Sequence, residues 1–188
     1  MTFEPTPIPG AFVLALERRE DERGWFARTW CREEFAAHGI EVDMVQASVS
    51  HSRLRGTLRG LHYALAPARE GKLVRCERGS VFDVLLDLRP ASPAYLKHFS
   101  IQLDDASRNA VYVPPMVAHG FQTLTGDCDV LYLMSDVYRA ELAAGVRHDD
   151  PAFGIAWPLP VSVISERDRS YADFDPLAPP GAGTSHAF

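Results

Sequence analysis

Gly71-Lys72-Leu73-Val74-Arg75-Cys76-Glu77-Arg78-Gly79-Ser80-Val81-Phe82-Asp83-Val84 reads as strand, glycine turn and strand, and it sets the class of the whole chain. Side chains alternate sides along extended backbone, so Lys72, Val74 and Cys76 share one face of the first strand. In the second, Val81, Asp83, Leu85 and Asp87 form one face and Phe82, Val84, Leu86 and Leu88 the other. Arg89-Pro90-Ala91-Ser92-Pro93 closes that strand with turn chemistry. The same texture continues on both sides, with further strands expected at residues 12–16, 99–103, 110–113, 120–124 and 130–134. A polar turn is expected from Arg18 to Gly24, a short helix within 25–35 that ends near His38-Gly39, and another short helix over 141–144. Many short strands punctuated by Gly, Pro, Asp and Ser make a mainly β chain, a barrel or sandwich with a few short helices. One domain is expected over residues 1–174, followed by a flexible Pro/Gly/Ala-rich tail at 175–188.

Composition narrows the function classes. A chain of 188 residues can bury one sizeable core but not two ordinary ones. Its net charge of −6 argues against broad nucleic-acid binding, which needs a basic field. An anionic small ligand stays possible, because a pocket can gather a few cations locally. The basic residues are almost all arginine, with lysine only at 72 and 97. The N-terminus lacks a basic region followed by an apolar run, and no apolar stretch is long enough for a membrane span. Three cysteines (Cys31, Cys76, Cys128) without close metal-ligand spacing point to a reduced, cytoplasmic chain.

Five segments carry candidate chemistry. Arg59 and Leu61-His62 bracket a glycine in Thr57-Leu58-Arg59-Gly60-Leu61-His62-Tyr63; a histidine in a strand is either a catalyst or a satisfied structural residue. Lys72 either points into the barrel, where it needs an anion, or is a solvated lysine at a strand start. Pro114-Pro115 fixes a rigid turn that presents His119 at the next strand. Tyr132 and Tyr138 are six residues apart, and an uninterrupted strand would put both on one face. Asp168 supplies a late carboxylate, which by itself reads as surface charge.

Together the segments resemble the dTDP-4-dehydrorhamnose 3,5-epimerase family over roughly residues 8–174. The resemblance rests on Asp21-x-Arg23-Gly24-x-Phe26, Arg59-Gly60-Leu61-His62-Tyr63, Gly71-Lys72-Leu73-Val74-Arg75 and Gly79-x-Val81-x-Asp83-Val84. Pro114-Pro115-x-x-Ala118-His119-Gly120-Phe121, Asp150-Pro151-x-x-Gly154-Ile155-x-Trp157-Pro158 and Ser165-x-x-Asp168 complete it. It implies a cupin-like antiparallel β-barrel (jelly roll), a homodimer, and a site inside the barrel. The implied substrate is a nucleotide-linked 4-keto-6-deoxyhexose, dTDP-linked, epimerised at C3 and C5 without metal or redox cofactor; the alternatives are a single-site epimerase on a related nucleotide sugar and a non-catalytic or metal-binding cupin. It further implies His62 as base, Asp168 as its orienting partner, Lys72 as enolate stabiliser and Tyr132 as acid. Arg23, Gln46, Arg59, His119 and Tyr138 fall on positions that bind the substrate or its nucleotide.

The implied chemistry needs these residue types. A C–H bond beside a ketone yields its proton only if the developing enolate is stabilised, and a cation in a water-poor barrel does that. Histidine titrates near neutrality, and a carboxylate fixes its tautomer. No glycine-rich dinucleotide fingerprint is present, in keeping with proton rather than hydride transfer. Metal-binding barrels of this type carry a His-x-His pair. Here Ala64 stands two residues after His62, so no metal is expected. Arg28, Ser48 and Ala64 depart from residues common in the family (glutamate, asparagine and glutamine). Arg28, close to Arg23, is therefore a further candidate for substrate contact, with a solvated arginine as the alternative.

Overall fold

The computed structural model describes residues 1–175, so the expected tail lies, beyond Asp175, outside the described residues. In chain order the elements are β1 (Thr2–Pro5), β2 (Phe12–Ala15), β3 (Arg19–Asp21), β4 (Gly24–Phe26) and α1 (Arg32–Ala36). Then come β5 (Gln46–Ser52), β6 (Leu58–Ala64), β7 (Lys72–Arg78), β8 (Ser80–Asp87), β9 (His98–Asp104) and β10 (Ala110–Val113). β11 (Val117–Thr123), β12 (Cys128–Met134), a 3-10 turn (Ala140–Leu142), β13 (Ala143–Gly145) and α2 (Glu166–Arg169) complete them. A six-stranded sheet runs β1-β2-β10-β7-β12-β5 and a five-stranded sheet β13-β6-β11-β8-β9, all pairs antiparallel.

The strand–glycine–strand stretch is a corner between sheets. β7 pairs with β10 and β12, whereas β8 pairs with β11 and β9 in the other layer. Gly79 makes the crossing at φ +81°, and a Cβ there would sit 2.6 Å from Thr125 Oγ1 and 2.8 Å from Cys128 Sγ. Strands that change sheets at such corners build a jelly roll rather than a meander.

The alternation read from the sequence sorts side chains as expected. Val74, Cys76, Val81 and Leu85 meet Val111, Val113, Val117, Phe121 and Val130 in the core between the sheets. Val84, Leu86 and Leu88 face outward and are covered by C-terminal residues including Val146, Phe153 and Trp157. The outer face of the six-stranded sheet is sealed by Phe35, Ile40 and Trp30 packing on Leu14, Leu73 and Tyr112. Each sheet is therefore covered on both faces over much of its area, and one end of the barrel is left for a cavity.

Two helix expectations are corrected. The segment at 25–35 is helical only at Arg32–Ala36; Trp25 and Phe26 belong to β4, which pairs with β3 in an exposed hairpin where a polar turn was expected. The segment at 141–144 is a single 3-10 turn followed by β13, because Ala143 and Ala144 pair with Ala64 and Tyr63 of β6. In both places cross-strand hydrogen bonds outweigh local helix propensity.

Phe121 is 1% exposed between the two sheets. Phe121→Ala is expected to destabilise the fold by about 3–5 kcal/mol, read as a shift of the urea unfolding midpoint.

Candidate active site

A cavity of about 620 Å³ opens at one end of the barrel, and both sheets line it. β6 of the five-stranded sheet supplies Arg59, His62 and Ala64, and the adjacent β11 supplies His119. β7 and β12 of the six-stranded sheet supply Lys72 and Tyr132 from the facing layer, with Ser48 and Ser50 of β5 beside them. The register brings these groups together. His62 is the cross-strand partner of His119, Tyr132 of Ser48 and Val74, and Met134 of Lys72.

His62 Nε2 lies 2.6 Å from Asp168 Oδ1. An ionised carboxylate only accepts, so Nε2–H donates and the Nδ1 lone pair is left to act as a base. The second Asp168 oxygen accepts from the backbone N–H of Gly60 at 3.2 Å. α2 positions the carboxylate. Ser165 caps it and accepts from the N–H of Asp168 at 3.1 Å, the local reason for the Ser-x-x-Asp spacing. Burial acts to raise the Asp168 pKa, but the hydrogen bond from His62, its charge and the Gly60 N–H prevail and hold it below the ordinary carboxylate value.

His119 is 4% exposed, and its Nε2 lies 2.8 Å from the fully buried Asp83 Oδ2. Its ring meets Tyr132 edge-on with centroids 6.0 Å apart. Burial pushes the Tyr132 phenol well above its ordinary value, against smaller opposing effects of Ser50 and Arg59. Lys72 Nζ sits 2.5 Å from Glu70 Oε1. Arg59 is held at the rim by Ser52 Oγ and the His51 carbonyl, at 3.1 and 2.9 Å.

Seven of the ten residues singled out from the sequence line this cavity: His62, Lys72, Tyr132, Asp168, Arg59, His119 and Tyr138. Tyr138 does so from beyond the end of β12, not from the same strand as Tyr132. Gln46 stands behind the wall, and its Oε1 accepts from the N–H of Tyr138 at 3.0 Å. Arg23 and Arg28 lie outside the lining. Arg23 is paired with Asp21 on the β3–β4 hairpin, and Arg28 with Glu34. Sequence reasoning gave no site role to Glu70, Arg167 or Asp83; the first two line the cavity beside Lys72 and Asp168, and Asp83 holds His119 from behind. Among the described residues, no group of three His, Cys, Asp or Glu side chains could hold a metal ion.

The family model for dTDP-4-dehydrorhamnose 3,5-epimerase matches residues 5–175. The chain belongs to this epimerase family. It is 40% identical over 172 residues to the dTDP-4-dehydrorhamnose 3,5-epimerase of Methanothermobacter thermautotrophicus, covering 90% of this chain and 92% of that one. A dTDP-4-dehydrorhamnose 3-epimerase of Streptomyces niveus is 38% identical, covering 90% of this chain and 82% of that one. Among solved structures, the 4-keto-6-deoxy sugar epimerase NovW of Streptomyces spheroides superposes with TM-score 0.86 at 37% identity, over 92% of this chain and 87% of that one. The Legionella pneumophila epimerase solved with dTDP-4-keto-L-rhamnose gives 0.82 at 32% identity, over 89% of each chain. The barrel of this epimerase is thus the family's mainly antiparallel jelly roll.

The depressed Asp168 pKa fixes the sign of one pH effect. Its contribution to stability is complete above the free-aspartate value of about 3.9 and is lost as pH falls through the lower folded value. The stability gap between the unaltered enzyme and Asp168→Asn should therefore be full at neutral pH and close below pH ~4 in urea titrations.

Proposed function

We propose that this epimerase inverts C3 and C5 of a dTDP-linked 4-keto-6-deoxyhexose, with no metal or redox cofactor. One observation carries the reading: the His62–Asp168 pair at 2.6 Å faces a wall holding both a phenol and an ammonium, within one cavity. His62 Nδ1 takes the proton from the carbon beside the ketone, and Asp168 supports the imidazolium that forms. The C–H electron pair becomes an enolate, whose oxygen charge is met by Lys72. Tyr132 returns a proton to the opposite ring face, which inverts the centre. A phenol kept protonated by burial is a weak acid suited to a strongly basic enolate. Base and acid belong to different sheets, an arrangement that supports removal and return from opposite ring faces.

Arg59, His119 and Tyr138 are proposed to hold the diphosphate and nucleoside, a guanidinium suiting phosphate and a tyrosine ring suiting a base. Arg23, Gln46 and Arg28 are proposed in support; Arg23 and Arg28 lie outside this chain's own cavity lining, which favours their contribution from a second copy. Exposed Trp25, Phe26, Val45 and Val49, at 41, 72, 54 and 63% exposure, favour such a homodimer. No described helix is long and apolar enough to cross a membrane. Free Cys31, Cys76 and Cys128 suit a reducing cytoplasm.

Proton NMR of dTDP-4-keto-6-deoxyglucose with the enzyme in deuterated water should show loss of both the C3 and C5 signals. Loss of one alone would make it a single-site epimerase, as the Streptomyces niveus relative is named. Retention of both would overturn the reading. His62→Ala should abolish exchange and leave the protein folded, with a modest drop in unfolding temperature because the buried Asp168 carboxylate loses its imidazole donor. Lys72→Ala should lower kcat by about 10²-fold or more, measured in the same assay.

A further inference from the structure

Lys72 does not stand alone in the cavity. Its Nζ meets Glu70 Oε1 at 2.5 Å, and both side chains are only 10% exposed. Taking an ammonium this far out of water is costly unless a counter-ion meets it. A flexible four-carbon stem beside an open mouth would otherwise carry the charge outward to solvent.

The backbone around this pair is clamped. Gly71 N donates to Ser135 Oγ at 2.7 Å, and Ser135 N donates to the Gly71 carbonyl at 2.9 Å. Arg69 N donates to Asp136 Oδ2 at 3.2 Å, and Ser135 Oγ also reaches the Arg69 carbonyl at 3.2 Å. The residue between Glu70 and Lys72 must be glycine, since a Cβ there would fall 2.6 Å from the buried Tyr112 hydroxyl. Lys72 is itself paired on both sides, with Val113 of β10 and Met134 of β12. A carboxylate is thus delivered to the ammonium by a segment with little freedom to withdraw it.

We propose that Glu70 is the positioning residue of Lys72: it holds the ammonium inside the cavity at the point where the enolate oxygen develops. The proposal rests on the epimerase reading above. Glu70 does not touch the reacting atoms. It leaves Lys72 further N–H donors for the ketone, since an ammonium has three and the carboxylate engages one. The carboxylate also weakens the field that Lys72 projects. Positioning outweighs this, because displacement of a charged group by about 1 Å can cost about a hundredfold in rate.

Two measurements test the proposal. In the deuterium-exchange assay, Glu70→Gln should lower kcat by about ten- to a hundredfold and leave KM within about twofold. Glu70→Asp, which keeps the charge on a shorter stem, should recover part of the loss. In a Lys72→Ala background, Glu70→Gln should cost less than about twofold, because two residues that act through one contact are not additive. Unchanged kcat, a rise confined to KM, or an equal loss with and without Lys72 would overturn it.

The second measurement needs no substrate. Lys72 and Lys97 are the chain's only lysines, so protein labelled with ¹⁵N-lysine gives two side-chain ammonium resonances. Glu70→Gln should move the resonance assigned to position 72 by its loss in Lys72→Arg, and leave that of Lys97 in place. An unmoved Lys72 resonance would overturn the pair itself. No exchange by the unaltered protein would instead remove the epimerase reading and with it the kinetic role. The two failures are therefore distinguishable.

Discussion

The hydrogen bond between His62 and Asp168 joins positions 106 residues apart and organises everything around the cavity. β6 brings the imidazole, while the carboxylate arrives on a helix of four residues, itself held by the Ser165 cap. The C-terminal segment that carries this helix passes over the outer face of the five-stranded sheet, where Val146, Phe153, Ile155 and Trp157 pack on Leu61, Val84 and Leu86. The apolar seal on one side of the sheet thus fixes where a charge appears on the other. A buried carboxylate without its donors would be costly, so the packing and the hydrogen bonds have to form together.

Charge pairing is a general rule of this barrel's interior. Asp168 has His62 and the Gly60 N–H, Asp83 has His119, and Lys72 has Glu70. Asp87, fully buried at its side chain, takes Arg89 and Ser92 at 2.6–2.8 Å, and these hold its pKa low against the burial that acts to raise it. The interior tolerates these charges because each meets a partner, His119 on the adjoining strand for Asp83, His62 of β6 for Asp168 on α2, and residues of neighbouring loops for Lys72 and Asp87.

Much of this was legible in the sequence, and the gaps have physical causes. β8 alternates apolar sets so clearly that both faces could be assigned from Val81–Leu88. β5 was missed because its polarity is reversed. Ser48 and Ser50 line the cavity while Val49 is 63% exposed, and a reading that expects apolar residues inward finds no strand there. The helix expected across 25–35 shrank because Gly24 takes φ +123° and turns Trp25 and Phe26 into a hairpin strand. Of the candidate site, the residues inside the barrel were found through motifs. Glu70 was not, since the residues before β7 read only as a loop, and the contact that gives Glu70 meaning exists only in three dimensions. Arg23 and Arg28 share a motif region with the site but are placed on the outside of this chain.

One wall of the cavity has a different consequence. Ala64 of β6 and Ala143 of β13 are cross-strand partners, and both line the cavity. Their ladder is held by backbone hydrogen bonds that ignore side-chain identity, and short methyl groups leave the space in front of them unfilled. Larger residues at these two positions would narrow the chamber without altering strand pairing or moving His62, Lys72 or Tyr132. The barrel thereby keeps the charged and phenolic groups of the cavity apart from the methyl-lined wall that sets its width.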